Sequence, residues 1–381
     1  MSHKGENPGA NPPFLFWPVG QREFYLSLIY ALLGPLAWGF GVFGPRAALV
    51  SLSYAAGALA AYALFRFVLQ RPRGLSLHHS LVCALIAAGL AYPLLRWYLA
   101  LVAGVVITVL IWLAGAALRQ RLHTGLLAAL LLTALYPAPQ RWPLLARDRL
   151  FRGDAAYSHR GAYNQWPRAA AIGGADAIRL PRPGPVLRTL YVRIAAHPTT
   201  AASRRLLRRT VALYLPSPWH LLLGAVPGRV GTVGLLAIIA AGLVLCYRHV
   251  LKAGAWLLFL LGTLAGLIFG PLSGPEWSHG FWQSVGGIWY LPPAQAGTLL
   301  FMELGSADFL FASVFVLALP GTLPLEPMAR RIFLVLAGVG AAVLHRLNIP
   351  VPPATLALLI MQPLGPTLDA ALHRRPWALG W

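Results

Sequence analysis

Residues 97–118, "WYLALVAGVVITVLIWLAGAAL", run for 22 positions without a charged side chain. At about 1.5 Å per residue, a helix of this length reaches about 33 Å, enough to cross a hydrocarbon core of about 30 Å. The stretch has company on both sides. Hydrophobic residues make up 58% of the chain and charged ones 11%, and mean hydropathy is +0.65. A soluble domain carries about 25% charged residues, so the composition excludes an ordinary water-soluble fold. The chain reads as an all-α polytopic membrane protein.

Counting outward, the sequence divides into ten apolar spans: roughly 24–43, 46–66, 77–93, 97–118, 122–136, 230–248, 253–271, 294–319, 331–345 and 352–370. Five precede a long connection and five follow it, a 5+5 arrangement of the kind produced by internal repeats in transport proteins. The expected organisation is an N-terminal membrane half (1–136), an arginine-rich extracytoplasmic loop (137–229) and a C-terminal membrane half (230–381). Residues 1–20 are polar and proline-rich and show no cleavable signal.

Basic residues in short loops set orientation. With both termini inside, the inner segments hold thirteen: Lys4, Arg22, Arg66, Arg71, Arg73, Arg119, Arg121, Arg248, Lys252, Arg330, Arg331, Arg374 and Arg375. The short outer loops hold three, Arg46, Arg96 and Arg346. The remaining fifteen arginines fall in the long loop, which this topology puts outside; long loops translocate largely regardless of charge. With the N-terminus kept inside, the opposite placement of that loop requires an even number of spans before it. Although the net charge is +21, the basic residues lie between apolar segments and form no basic-aromatic surface, so no nucleic-acid partner is expected. Cys83 and Cys246 sit inside apolar stretches, and the eleven histidines show no metal-ligand spacing.

Acids are scarcer than bases, and their positions carry more information. Glu303 and Asp308 fall within "TLLFMELGSADFLFASVFVL", and a carboxylate at membrane depth normally faces a cavity or a partner. Gly305 and Ser306 between them permit a break that turns both acids toward one place. Two readings stay open: an ion or proton path, or an interfacial kink between half-spans. The last span, "LLIMQPLGPTLDAALHRR" (358–375), is interrupted by Pro363, Gly365 and Pro366 just before Asp369. A proline break frees backbone groups. Asp369 then either caps freed amides, meets a basic partner, or simply follows a helix stop. The aromatic connection "GPLSGPEWSHGFWQSVGGIWYLPP" reads as an interfacial, re-entrant segment. Glycines gather in "LLLGAVPGRVGTVGLLAIIAAG" (221–242), suited either to close helix packing or to an anion at a helix start.

In order and spacing, these features resemble the RnfD/NqrB family, the membrane subunits of the Rnf and Na+-translocating NADH:quinone reductase complexes. The glycine-rich stretch with its helix and basic turn is similar to the family's, as is "TLPLEP" (322–327), which is like its Thr-x-Pro-x-x-Pro segment. The final helix ends in a proline and an acid, Asp369, as the family's does. Resemblance covers nearly the whole chain by layout and residues 221–375 by motif.

It implies a subunit that assembles with other membrane and peripheral subunits in the bilayer of a bacterial inner membrane. Redox chemistry there is coupled to Na+ or H+ movement, and Glu303, Asp308 and Asp369 are the ion-path candidates. The alternative is a stand-alone ion or solute transporter of similar layout. An enzyme acting on lipid-linked substrates is a third reading, but the long loop lacks an acid–base or nucleophile set. Flavin-bearing relatives attach FMN by a phosphoester to a threonine. The nearest text here is "IGGADAIRLPRPG" (172–184), which puts Arg182 or Asp176 at that position. Neither has a hydroxyl, so covalent FMN is not expected, and the resemblance leaves FMN or riboflavin held without an ester; Arg204, Arg205, Arg208 and Arg209 offer a noncovalent site for a flavin phosphate, or else a solvated or lipid-facing basic patch. Thr232 stands where the family has a glutamate, and Leu319 where it has an aspartate.

Overall fold

The computed structural model describes residues 20–68, 76–93, 95–117, 126–127, 129–131, 141–145, 177–181, 218–224, 228–270, 293–347 and 351–373. Its elements are α1 (Gln21–Phe43), α2 (Pro45–Ala63, continued by a π-turn over Leu64–Val68), α3 (Leu77–Leu90) and α4 (Trp97–Ala117). A two-stranded antiparallel ribbon follows, β1 (Arg141–Leu145) with β2 (Ala177–Pro181), registered with Pro143 opposite Arg179. Then come α5 (Pro218–Leu222), α6 (Leu235–Tyr247), α7 (Ala253–Phe269) and α8 (Pro293–Ser306). The chain ends with α9 (Phe309–Phe311, running into a π-turn over Ala312–Val316), α10 (Pro327–Arg346), α11 (Pro353–Met361) and α12 (Leu364–His373).

The all-α membrane class holds. Three helices, Arg22–Phe43, Pro45–Val68 and Pro327–Arg346, are each long and apolar enough to cross a bilayer. Two bent pairs, Leu299–Gly305 with Phe309–Val316 and Pro353–Met361 with Leu364–Leu372, reach that length together. α3, α4, α6 and α7 are shorter apolar helices at the expected spans. Of the fifth span, only 126–127 and 129–131 lie among the described residues, and they are helical. The ribbon is an element that the sequence reading does not contain.

Local chemistry explains where helices begin. α2, α10 and α11 each open on proline (Pro45, Pro327, Pro353). Proline's missing N–H costs nothing in the first turn, and its φ is already helical. α2 also shows why such a helix belongs in lipid. Its outward residues include Leu49, Leu52 and Leu59, while Ser51, Ser53, Tyr54 and Gly57 are buried. An apolar outer face with small and polar residues inside suits a surround as oily as leucine.

Close helix pairing recurs in both halves. A Cβ on Gly57 of α2 would run into the Leu101 carbonyl of α4, and one on Gly104 into the Tyr54 carbonyl. In the second half, a Cβ on Gly338 of α10 would run into the Phe259 carbonyl of α7, and one on Gly266 would stand 2.7 Å from the Ala342 Cβ. The α2–α4 and α7–α10 pairs therefore pack backbone against backbone. The halves meet where α3 ends: Gly89 lies under the Phe311 ring, and the Gly231 amide donates to the Gly89 carbonyl at 2.8 Å.

Candidate functional site

Short helices ending inside an apolar body create a problem. Each leaves unsatisfied N–H or C=O groups at its ends, and lipid offers no water to satisfy them. Arg229, Asp308, Arg330, Arg346 and Asp369 take up this task.

α3 stops at Leu90, deep in the structure. Arg229 reaches it from the glycine-rich stretch, donating from Nη1 to the Leu90 carbonyl at 3.1 Å and from Nη2 to the Tyr92 hydroxyl at 3.1 Å. Its guanidinium also lies 4.9 Å from the centre of the Tyr92 ring. The Val230 amide donates to the Ala91 carbonyl at 3.1 Å, completing the cover over the helix end. Thr232, at the position of the family's glutamate, closes the turn by accepting from the Arg229 amide at 3.2 Å. The glycines of this stretch thus serve close packing: Gly231 touches Gly89, where any side chain would collide.

Glu303 lies on α8 and is 2% exposed; Arg346, at the end of α10, is 6% exposed at its side chain, and Nη2 meets Glu303 Oε2 at 3.2 Å. The same guanidinium donates to the Leu267 carbonyl at 2.6 Å and the Gly270 carbonyl at 2.7 Å, both at the C-terminal end of α7. Arg346 is therefore not an outer-loop residue, as the topology count supposes, but a buried cap. Charge alone could not reveal this: apolar "AAVLH" in front and "LNIP" behind look like any helix end.

The span holding Glu303 and Asp308 breaks at the anticipated place, between Ser306 and Phe309, with a bend of 61°. Asp308 does not cap its own helix. Oδ1 accepts from the Ala354 amide at 3.1 Å, and Oδ2 from the Thr355 amide at 3.0 Å and the Thr355 hydroxyl at 2.7 Å. Those are first-turn groups of α11, so Asp308 supplies from 46 residues away the anion that a helix start favours. His345 lies within electrostatic reach of Glu303, Arg346 and Asp308, and its ring sits edge-on to Phe309 at 5.3 Å. One break thus gathers two acids, an arginine and a histidine in the apolar interior.

Asp369 does the same work nearer the surface. Oδ2 accepts from the Leu325 amide at 3.1 Å and Oδ1 from the Glu326 amide at 3.0 Å, just before α10. Among the open readings, capping is what the geometry shows, though of another helix rather than of its own break. The break itself bends α12 from α11 by 49° and brings Asp369 back to α10. Arg330 holds the same turn through the carbonyls of Pro324 and Leu325, at 3.1 and 2.9 Å. Because this cap is half exposed, Asp369→Ala is expected to cost about 1 kcal/mol. The expected readout is a small drop in thermal midpoint in detergent, with earlier protease cutting near 325.

Asp176 and Arg182 flank β2 and lie outside the described residues, as do the Arg204–Arg209 cluster and the aromatic connection 271–292. Leu319 is buried at 2% exposure, and its carbonyl accepts from the Thr322 hydroxyl at 2.8 Å. A sequence-only signal for the missed cap Arg229 was present: an arginine inside "VPGRVGTVG", where glycines allow the backbone to approach a neighbouring helix end. No curated protein matches the chain. Its sequence does match the NQR2, RnfD, RnfE family from residue 10 to residue 378, and the chain, a bundle of apolar helices whose inner charges hold its broken ends, belongs to that family.

Proposed function

We propose that this chain is a membrane subunit of an Rnf/Nqr-type electron-transport complex, coupling redox chemistry to movement of Na+ or H+. It lies in the bacterial cytoplasmic membrane with both termini on the cytoplasmic side. The family match over residues 10–378 carries the reading. The buried charges support it, since a bundle that keeps two acids, an arginine and a histidine in its apolar interior has more than an anchoring task.

In this role Asp308 and Asp369 act as fixed caps that set the angles of the broken spans. Each already receives amide donors, and Asp308 a hydroxyl as well. FMN held by phosphoester does not fit the chemistry available, because neither Arg182 nor Asp176 carries a hydroxyl. In this reading the electron carriers belong to its partners.

A single preparation tests both parts. The tagged chain is captured from native membranes under mild detergent and its partners identified. The same sample is then run on a denaturing gel under ultraviolet light. Co-purifying redox subunits and a dark band at about 41 kDa are expected. Recovery of the chain alone would remove the subunit reading, and a bright band would show that another hydroxyl bears the flavin.

A further inference from the structure

The turn between α6 and α7 gathers positive charge in five positions, Arg248, His249, Val250, Leu251 and Lys252. Val250 and Leu251 are buried, and their amides both donate to the Leu245 carbonyl, at 2.9 and 3.2 Å. The Arg248 amide donates to the Val244 carbonyl at 2.9 Å, and the Lys252 carbonyl accepts from the Ala255 amide at 2.9 Å. A turn fixed in this way leaves Tyr247, Arg248, His249 and Lys252 exposed. Among the described residues, the side chains of Arg248, His249 and Lys252 make no hydrogen bond or ion pair. Sequence supplies no counter-charge nearby, since no acid occurs between Asp176 and Glu276. His249 also has a φ of 58°, the one positive value among the described non-glycine residues. Glycine would hold that conformation at lower cost, and strained positions cluster at functional sites.

The flanking helices indicate which anion fits. Leu243 and Val244 of α6 are exposed, as are Leu257 and Leu261 of α7. Leu243 and Tyr247 stand four residues apart on one helix face, and so do Leu257 and Leu261. Apolar surface thus runs along both helices, and the exposed residues turn basic where the helices meet. Leucines, then an aromatic ring, then cations is the order that a phospholipid presents in reverse charge, from acyl chain to phosphate.

We propose that the α6–α7 turn is a headgroup site for an anionic phospholipid, with Arg248 and Lys252 meeting its phosphate and the outer leucines of α6 and α7 beside its chains. An acidic segment of a soluble protein would answer the charge but leave those leucines bare. A lipid accounts for both. The assignment does not depend on the electron-transport reading.

The probes are phosphatidylglycerol, phosphatidylcholine and inorganic phosphate, each titrated at equal ionic strength into the purified, detergent-solubilised chain. The thermal midpoint is read at every concentration. Phosphatidylglycerol is expected to raise the wild-type midpoint by about 3 °C, by mass action on the folded state. Phosphatidylcholine and inorganic phosphate are expected to leave it unchanged. Arg248→Gln/Lys252→Gln should need about 30-fold more phosphatidylglycerol for the same gain, from two cations lost beside an anionic surface. Arg66→Gln/Arg331→Gln removes two exposed cations elsewhere and should respond as the wild type does. So should Arg248→Lys/Lys252→Arg, which keeps both charges.

A wild type indifferent to phosphatidylglycerol would overturn the proposal and leave an acidic protein segment as the partner of the turn. An equal gain from phosphatidylcholine or inorganic phosphate would overturn the assignment to an anionic lipid. Equal weakening in the two glutamine variants would also overturn it, since net charge rather than this turn would then draw the lipid.

Discussion

Asp308→Ala is expected to destabilise the protein by about 3 kcal/mol, most of it from leaving first-turn amides of α11 without an acceptor in an apolar interior. The carboxylate is 2% exposed and accepts from the Ala354 amide, the Thr355 amide and the Thr355 hydroxyl. No nearby side chain on α11 itself provides a substitute, because its N-cap is Pro352 and it makes no side-chain cap bond. Water cannot take over as it would at an exposed helix end. Asp308→Asn should fall between, at about 1–2 kcal/mol, since one oxygen still accepts while the new amide group faces a donor. Thermal midpoints of both variants in detergent measure the cost. Ion uptake by reconstituted vesicles, normalised to folded protein, separates capping from conduction. A fixed cap leaves uptake per folded molecule unchanged in Asp308→Asn. Loss of uptake in a variant with unaltered midpoint would make Asp308 part of an ion path.

Gly338→Ala, a change of one methyl group, is expected to cost about 3 kcal/mol. The added carbon would collide with the Phe259 carbonyl and lie 2.6 Å from the Thr263 amide nitrogen. Both are backbone atoms of α7, which no rotamer change can move aside, so the two helices must separate along their contact. In lipid, that contact is the source of the attraction, because small residues let backbones approach and van der Waals packing does the rest. Gly340→Ala, two residues on, provides the control. Among the described residues, a Cβ there finds only the Ala357 Cβ at 3.9 Å, an ordinary contact, and the substitution should be neutral or slightly stabilising. The expected result is a lowered midpoint and poor recovery of monodisperse protein for Gly338→Ala only. Equal behaviour of the two variants would show that the α7–α10 approach is not what holds this half together.

The same arithmetic applies in the first half. Gly57 and Gly104 each approach a carbonyl of the opposing helix. The second and fourth of the apolar spans pair in both halves through glycines that share no obvious sequence pattern, so the pairing is visible in space and faint in sequence. What the packing requires is a small residue at one point of contact, and that constraint tolerates nearly any neighbour.

The membrane class, its apolar helices and the break near residue 306 were legible in the sequence, because each depends on local quantities. Hydrocarbon thickness selects apolar runs such as 97–118, proline at Pro45, Pro327 and Pro353 marks helix starts, and Gly305–Ser306 permits a bend. Which acids belonged to special positions was also legible, since Glu303 and Asp308 stand out in an apolar run. Their partners were not. Asp308 meets a helix start 46 and 47 residues ahead, Asp369 one 43 and 44 residues behind, and Arg346 a helix end 76 and 79 residues behind. Hydropathy and spacing report what a segment's own residues prefer. A capping bond across the fold is decided by where two helix ends arrive in space, and only the tertiary structure determines that.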